Sequence, residues 1–207
     1  MKRLMDVAAL TGELTRYILA TPTDERGQRL AFSEALLDKI AQGRVRERAR
    51  PFMLSFTVRS ALDEHRHATA FQVLKQFGQE APWQLMSEGL LTRIFEVAII
   101  ADELAVAQRA LDELSAAALV KGPEREAMQT LIEWRAGRVD ESTIDLKRRY
   151  FFVHPEYDEY FKGRIAAETG RPAEALQHLQ RCLELAPEDA LELRENAMRL
   201  VREQSGS

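Results

Sequence analysis

The sequence predicts an all-α chain, built as an α-solenoid of antiparallel helix pairs. Three observations carry this. Apolar residues recur at steps of three and four along most of the chain, the spacing that puts them on one face of a helix. Alternating apolar and polar runs rich in Val, Ile and Thr, the mark of strands, are absent. Pro123, Pro155 and Pro187 recur at 32-residue intervals and Gly137 and Gly170 lie 33 apart, which is the period of a two-helix unit.

The periodicity predicts helices over about 4–20, 26–42, 46–62, 67–79, 83–101, 103–120, 123–136, 139–153, 156–169, 172–186 and 188–203. The stripe of 67–79 is Ala70, Leu74 and Phe77; that of 103–120 is Leu104, Ala107, Leu111, Leu114 and Ala118. Val139, Thr143, Leu146, Tyr150 and Val153 mark 139–153, and Ala175, Leu179, Cys182 and Ala186 mark 172–186. Segment 83–101 is apolar nearly all round, through Leu90, Leu91, Ile94, Phe95, Val97, Ile99 and Ile100, which predicts a helix enclosed by others. The last segment has one stripe, Leu193, Ala197, Leu200 and Val201, opposite Glu192, Glu195, Arg199, Arg202 and Glu203. That pattern predicts a capping helix over 188–204 with a solvated face and a Glu195–Arg199 pair. Between the helices stand short breaks at Thr21-Pro22, Gly43, His65, Pro82, Gly122-Pro123, Gly137, Pro155, Gly170 and Pro187. Short breaks make successive helices antiparallel neighbours, and without a long linker residues 1–204 are expected to form one domain.

Composition narrows the function. With 45% hydrophobic residues in 207, the chain can build a sizeable core. A formal net charge of -4 argues against a protein whose main task is gripping phosphates. Cys182 is the only cysteine, so neither an intramolecular disulfide nor a cysteine metal cluster can form, and a reducing, cytoplasmic setting is expected. The longest apolar run, Val97 to Ala101, is far short of the ~20 residues a bilayer needs, so no membrane insertion is expected. No GxSxG, Gly-rich phosphate loop or HExxH occurs, so no catalytic residue, metal or cofactor is expected. In DEHRH (63–67) His65 and His67 are two apart, on different sides of a helix, and read as a solvated turn. His154 and His178 have no carboxylate or nucleophile near them in sequence. MDVAALTG resembles the start of a helix-turn-helix through Ala8 and Gly12, but Glu13-Leu14-Thr15 follows and the helical period runs on. In GRVRERARP, Arg44, Arg46, Arg48 and Arg50 read as a solvated helix face.

Residues 156–189 resemble a tetratricopeptide repeat, with Gly163 in the middle of helix A, Gly170 at the turn, Ala175, Leu179 and Cys182 along helix B, and Pro187 closing it. Glu159, Lys162 and Ala166 depart from the pattern, which usually has large apolar residues there. Residues 123–155 are a weaker copy with Gly137, and residues 51–84 another with Ala70, Leu74, Phe77 and Pro82; 85–122 fit with a small insertion, and 1–50 show no clear repeat. The resemblance implies a right-handed solenoid whose helix A residues line a concave groove. Carried over, these are Tyr157, Tyr160, Arg164 and Glu168, then Glu124, Leu131 and Arg135, then Ser55, Arg59 and Asp63, with Arg59 and Arg164 in equivalent places. It implies a non-catalytic scaffold, adaptor or chaperone-like module that binds a protein or peptide carrying acidic or carboxylate groups.

Two other readings stay open. One is a self-associating component, a homodimer for instance, of a larger membrane-linked or secretion-type assembly. The other is a nucleic-acid-associated regulator using the basic runs and the N-terminal helices, disfavoured by the net charge. The aromatics Tyr150, Phe151, Phe152, Tyr157, Tyr160 and Phe161 cluster within 150–161; packing between helices is the expectation for most of them, with base stacking or a peptide groove as alternatives.

Overall fold

The computed structural model describes residues 50–76, 83–140, 154–188 and 190–206, with the isolated positions 35, 38 and 42. The expected helices 4–20 and 139–153, the arginines 44–48, Tyr150–Phe152 and all but those three positions of helix 26–42 lie outside the described residues. The chain divides between Pro82 and Trp83 into two compact units, where the lack of a linker predicted one domain.

Unit 1 contains α1 (Arg50–Asp63) and α2 (His67–Gln76), packed as a hairpin. Leu54, Val58, Ala61 and Leu62 of α1 and Ala70, Phe71, Val73 and Leu74 of α2 are buried. Thr57 is buried among them, and its hydroxyl donates to Met53 O at 2.8 Å, which satisfies that polar group inside the hairpin.

Unit 2 opens on a 3₁₀ turn, Trp83–Leu85. It continues with α3 (Glu88–Ile100), α4 (Leu104–Ala116), α5 (Gly122–Arg135), α6 (Pro155–Glu168), α7 (Pro172–Leu185) and α8 (Leu191–Ser205). No strand occurs among the described residues. The helices start where sequence chemistry permits. Ser87 caps α3 by accepting the Leu90 N–H at 3.3 Å. Proline stands in the first turn of α5, α6 and α7, where its missing N–H has no intrahelical partner to lose.

Five helix ends close in one way. Two residues past the last helical residue the backbone is left-handed, at His65 (φ 54), Asp102 (φ 59), Ala118 (φ 56), Gly137 (φ 69) and Gly170 (φ 71). The following N–H then reaches back across the turn: Arg66 to Ala61 O, Glu103 to Ala98 O, Arg138 to Glu133 O and Arg171 to Ala166 O, each at 2.8 Å, and Leu119 to Leu114 O at 2.9 Å. This closure satisfies carbonyls that a helix terminus would otherwise leave open. After His65, Asp102 and Gly170 the next helix begins two residues on, at His67, Leu104 and Pro172. Among the described residues the turns at 65, 102, 137 and 170 lie 33 to 37 residues apart, and the like turn at Ala118 falls between the second and third of them. That spacing is compatible with a helical repeat.

A left-handed residue other than glycine is strained by roughly 1 kcal/mol or more. Ala118 is exposed and makes no use of its side chain there. Ala118→Gly is expected to stabilise unit 2 by about 0.5 kcal/mol, the relief being partly offset by glycine's greater unfolded-state freedom. Asp102→Gly relieves the same strain yet is expected to destabilise, for reasons given below. Urea midpoints of the two variants, moving in opposite directions, check the pair.

Neighbouring helices pack together: α3 on α4, α4 on α5, α6 on α7 and α7 on α8. In addition α3 packs on α6. These two run parallel and in register, because Arg93 hydrogen-bonds Tyr157 and Arg164 donates to Ile100 O, both pairs 64 residues apart. Enclosed in this way, α3 buries Leu90, Leu91 and every residue from Ile94 to Ile100, as its all-round apolarity predicted. Between α6 and α7 the approach is close: a Cβ on Gly163 would lie 2.7 Å from Leu179 Cγ and 3.2 Å from the Leu179 backbone nitrogen. Ala175, Leu179 and Cys182 are fully buried, the packing role the repeat pattern gives them. The last helix buries Leu193, Ala197 and Leu200 beneath a charged outer face. On that face Arg199 pairs with Glu203 at 3.0 Å rather than with Glu195 as expected, since it has a carboxylate four residues away on either side.

Burial pushes the Cys182 thiol up to about 12, with the Glu156 and Glu159 carboxylates adding to the effect. A raised folded-state value leaves its contribution to stability whole below the ordinary thiol range, near 8.5, and erodes it as pH climbs toward about 12. Tyr157 and Tyr160 are raised by burial as well and act with the same sign. Cys182 is expected to resist a disulfide reagent at pH 8 in the native protein and to react at once in denaturant. Urea midpoints should fall between pH 8.5 and 10.5, less steeply in Cys182→Ala.

Candidate functional site

The C-terminal ends of α3, α5 and α6 meet at a cluster of four charged side chains. Arg135 is the last residue of α5, Glu168 the last of α6, and Arg164 lies one turn earlier. Asp102 is the left-handed residue of the α3–α4 turn. Arg135 donates from Nε to Asp102 Oδ1 at 2.7 Å and from Nη2 to the same oxygen. Its Nη1 donates to Glu168 Oε1 and Oε2 at 3.0 and 2.7 Å. Arg164 donates from Nη2 to Asp102 Oδ2 at 2.6 Å, from Nε to Glu168 Oε1 at 2.9 Å and from Nη1 to Ile100 O at 2.6 Å. Each carboxylate thus bridges both guanidinium groups. The Arg135 guanidinium also lies over Trp134, 5.0 Å from the ring centre, and Trp134 meets Phe161 edge-on at 5.8 Å.

The electrostatic reason is direct. Each helix C-terminus carries about half a negative charge, so three of them brought together repel unless cations stand among them. The two arginines supply that charge, and Arg164 also caps the final carbonyl of α3. Burial alone would loosen the proton of Arg164, but the hydrogen bonds to Asp102 and Glu168 and their charges outweigh it and leave its pKa above the ordinary value. Asp102 explains its own strained conformation: glycine fits the backbone, but only an acid can join both arginines. Asp102→Gly therefore loses more than it relieves.

The structure brings together three residues that the sequence assigned to a partner groove, and bonds them to one another. Arg135 and Arg164 are only 9% and 18% exposed, and the bonds of their guanidinium groups run to this protein's own acids and carbonyl, not outward. Glu168 stays 40% exposed at the rim. Tyr157 and Tyr160 are buried, against the expectation that they line an open groove: Tyr157 faces Arg93 and Glu96 of α3, and Tyr160 lies near Cys182 of α7 and Arg199 of α8. Leu131 is buried too, while Glu124 is exposed at the start of α5. In unit 1 the Arg59 side chain is 68% exposed, and its Nε lies 3.9 Å from Asp63, itself 45% exposed. Ser55, one turn earlier, is half-buried.

The chain matches no family model, no curated protein and no solved structure.

Sequence reasoning missed Asp102, Glu96 and Glu159. Glu96 is a fully buried acid on α3, close enough to Tyr157 to act on its hydroxyl. Glu159 lies 2.8 Å from His178 Nδ1, although 19 residues separate them in sequence. His65 stands in the α1–α2 turn as expected, whereas His67 opens α2 and is buried rather than solvated; the two rings meet edge-on at 6.3 Å. Among the described residues no group of three or more His, Cys, Asp or Glu is disposed to hold a metal ion, and no helix is long and apolar enough to cross a membrane. The one signal that pointed to Asp102 was positional, an acid two residues past an apolar helix end, where the later turns carry Gly137 and Gly170.

Proposed function

We propose that this protein is a non-catalytic, tetratricopeptide-like right-handed helical-repeat module that binds a protein partner in the cytoplasm and serves as a scaffold or adaptor. The observation that supports it best is the pairing of neighbouring helices into hairpins closed by one kind of turn, at His65, Asp102 and Gly170. Stacked two-helix units bury one face against their neighbours and present the other along a continuous surface, the usual use of such arrays. The charged cluster belongs to the stacking. The binding surface is sought where helix A residues remain accessible, at Arg59 and its neighbours. Immobilised full-length chain should retain a discrete partner from native extract, and the purified partner should re-form the complex at fixed stoichiometry. A chain that retains none would overturn the reading.

Self-association is the second reading, favoured by Leu191 and Met198, 65% and 37% exposed and seven residues apart on α8. Light scattering that shows a concentration-independent monomer would remove it.

A further inference from the structure

Helices α1 and α6 are each 14 residues long. Each closes on a left-handed residue two positions later, His65 and Gly170, and each is followed by its hairpin partner two positions after that. Superposing the two turns pairs Phe52 with Tyr157, Ser55 with Tyr160, Arg59 with Arg164 and Asp63 with Glu168. Both helices therefore carry an aromatic residue, an arginine seven residues on and an acid four residues further. These positions lie along one helix face.

In unit 2 that face is covered. Helix α3 lies parallel on it, Tyr157 is fully buried, and the arginine grips the end of the covering helix through its last carbonyl, Ile100 O, and the acid of its turn, Asp102. In unit 1 the equivalent residues remain accessible, with Phe52 41%, Arg59 68% and Asp63 45% exposed. A large apolar side chain beside an accessible arginine is the composition of a binding surface. The covered copy shows which chemistry fits it.

We propose that the Phe52–Ser55–Arg59–Asp63 face of α1 docks a helix of a partner protein, lying parallel to α1, apolar along its contact stripe and ending on an acidic residue just past its last turn. Phe52 covers the apolar stripe as Tyr157 does. Arg59 takes the terminal carbonyl and the acid, as Arg164 does. Asp63 steadies the guanidinium from the position of Glu168, and its present 3.9 Å separation closes toward the 2.9 Å of the covered pair. The proposal rests on the partner-binding reading above and specifies its surface.

The probe is a labelled synthetic peptide with the sequence of residues 86–103, MSEGLLTRIFEVAIIADE, which contains the helix that covers the equivalent face. Its fluorescence anisotropy is titrated with the full chain. Saturable binding is expected, weakened about tenfold by Phe52→Ala and by Arg59→Ala, and weakened less by Arg59→Lys, which keeps the charge but not the forked donor. A peptide carrying Asp102→Asn should also bind less tightly. Both protein substitutions fall on exposed side chains, so the fold is kept. Absence of saturable binding overturns the proposal. So does binding that ignores both substitutions, because the peptide would then be exchanging with the protein's own α3. A partner retained equally by wild type and by the Phe52→Ala/Arg59→Ala variant would sink this surface while leaving partner binding intact. Failure to retain any partner would remove the broader reading itself.

Discussion

Replacing Arg164 with alanine is expected to lower the stability of unit 2 by about 2–3 kcal/mol. The substitution deletes three charge-assisted contacts, to Ile100 O, Asp102 and Glu168. It also leaves Tyr160 beside a void where the arginine stem packed. The loss should stay below the ~3–5 kcal/mol of a fully buried broken pair, because Asp102 and Glu168 are nearly half exposed and can rehydrate. Arg135 remains to both of them as well. Both tryptophans, Trp83 and Trp134, lie in unit 2, so intrinsic fluorescence follows this unit alone through urea denaturation. Arg164→Lys should recover a minor share, since an ammonium replaces the charge but reaches one acceptor well rather than three. A loss under ~0.5 kcal/mol for the alanine variant, the range of an exposed ion pair, would show that the cluster does not hold the helices together.

Gly163→Val is the second large effect, expected at about 2 kcal/mol. Already the first carbon of any side chain would sit 2.7 Å from Leu179 Cγ and 3.2 Å from the Leu179 backbone nitrogen. The leucine can turn aside, but the backbone of α7 cannot without shifting the helix, and overpacking of this kind costs about 1–3 kcal/mol. Valine's better helix propensity returns only a few tenths. Adding Leu179→Ala should restore part of the stability relative to the sum of the single losses, a coupling of about 1 kcal/mol or more in a double-mutant cycle. Strict additivity would mean that α6 and α7 are not in the contact described.

Much of this fold was readable from local signals. Most of the described helices begin and end within three residues of the sequence-derived bounds, because proline in first turns and glycine at left-handed positions are backbone constraints that act locally; α3 begins five residues late, after the 3₁₀ turn, and α4 ends four early. Gly137 and Gly170 gave away their turns; His65 and Asp102 occupy the same conformation without glycine, so their turns showed only as interruptions in apolar periodicity. The enclosed state of α3 was legible from apolar residues on all sides. What covers α6 was not. Tyr157, Tyr160 and Arg164 carry the residue types of a binding groove, and only contacts with helices distant in sequence, α3 for Tyr157 and Arg164 above all, turn them inward. The division at Pro82 was equally hidden, since a boundary between compact units depends on which contacts form across it and not on the composition of the break.

The uniform turns also govern where the chain can change length. Residues 64–66, 101–103 and 169–171 are three-residue connections with the left-handed residue at the centre. One inserted residue there would advance the following helix by about 100° about its axis and carry its buried stripe toward water. The connection 117–121, five residues between α4 and α5, leaves more slack. Insertions and deletions among natural variants should therefore gather between hairpins and spare the turns within them, so that drift in length marks the boundaries of the repeating unit even where side chains have diverged.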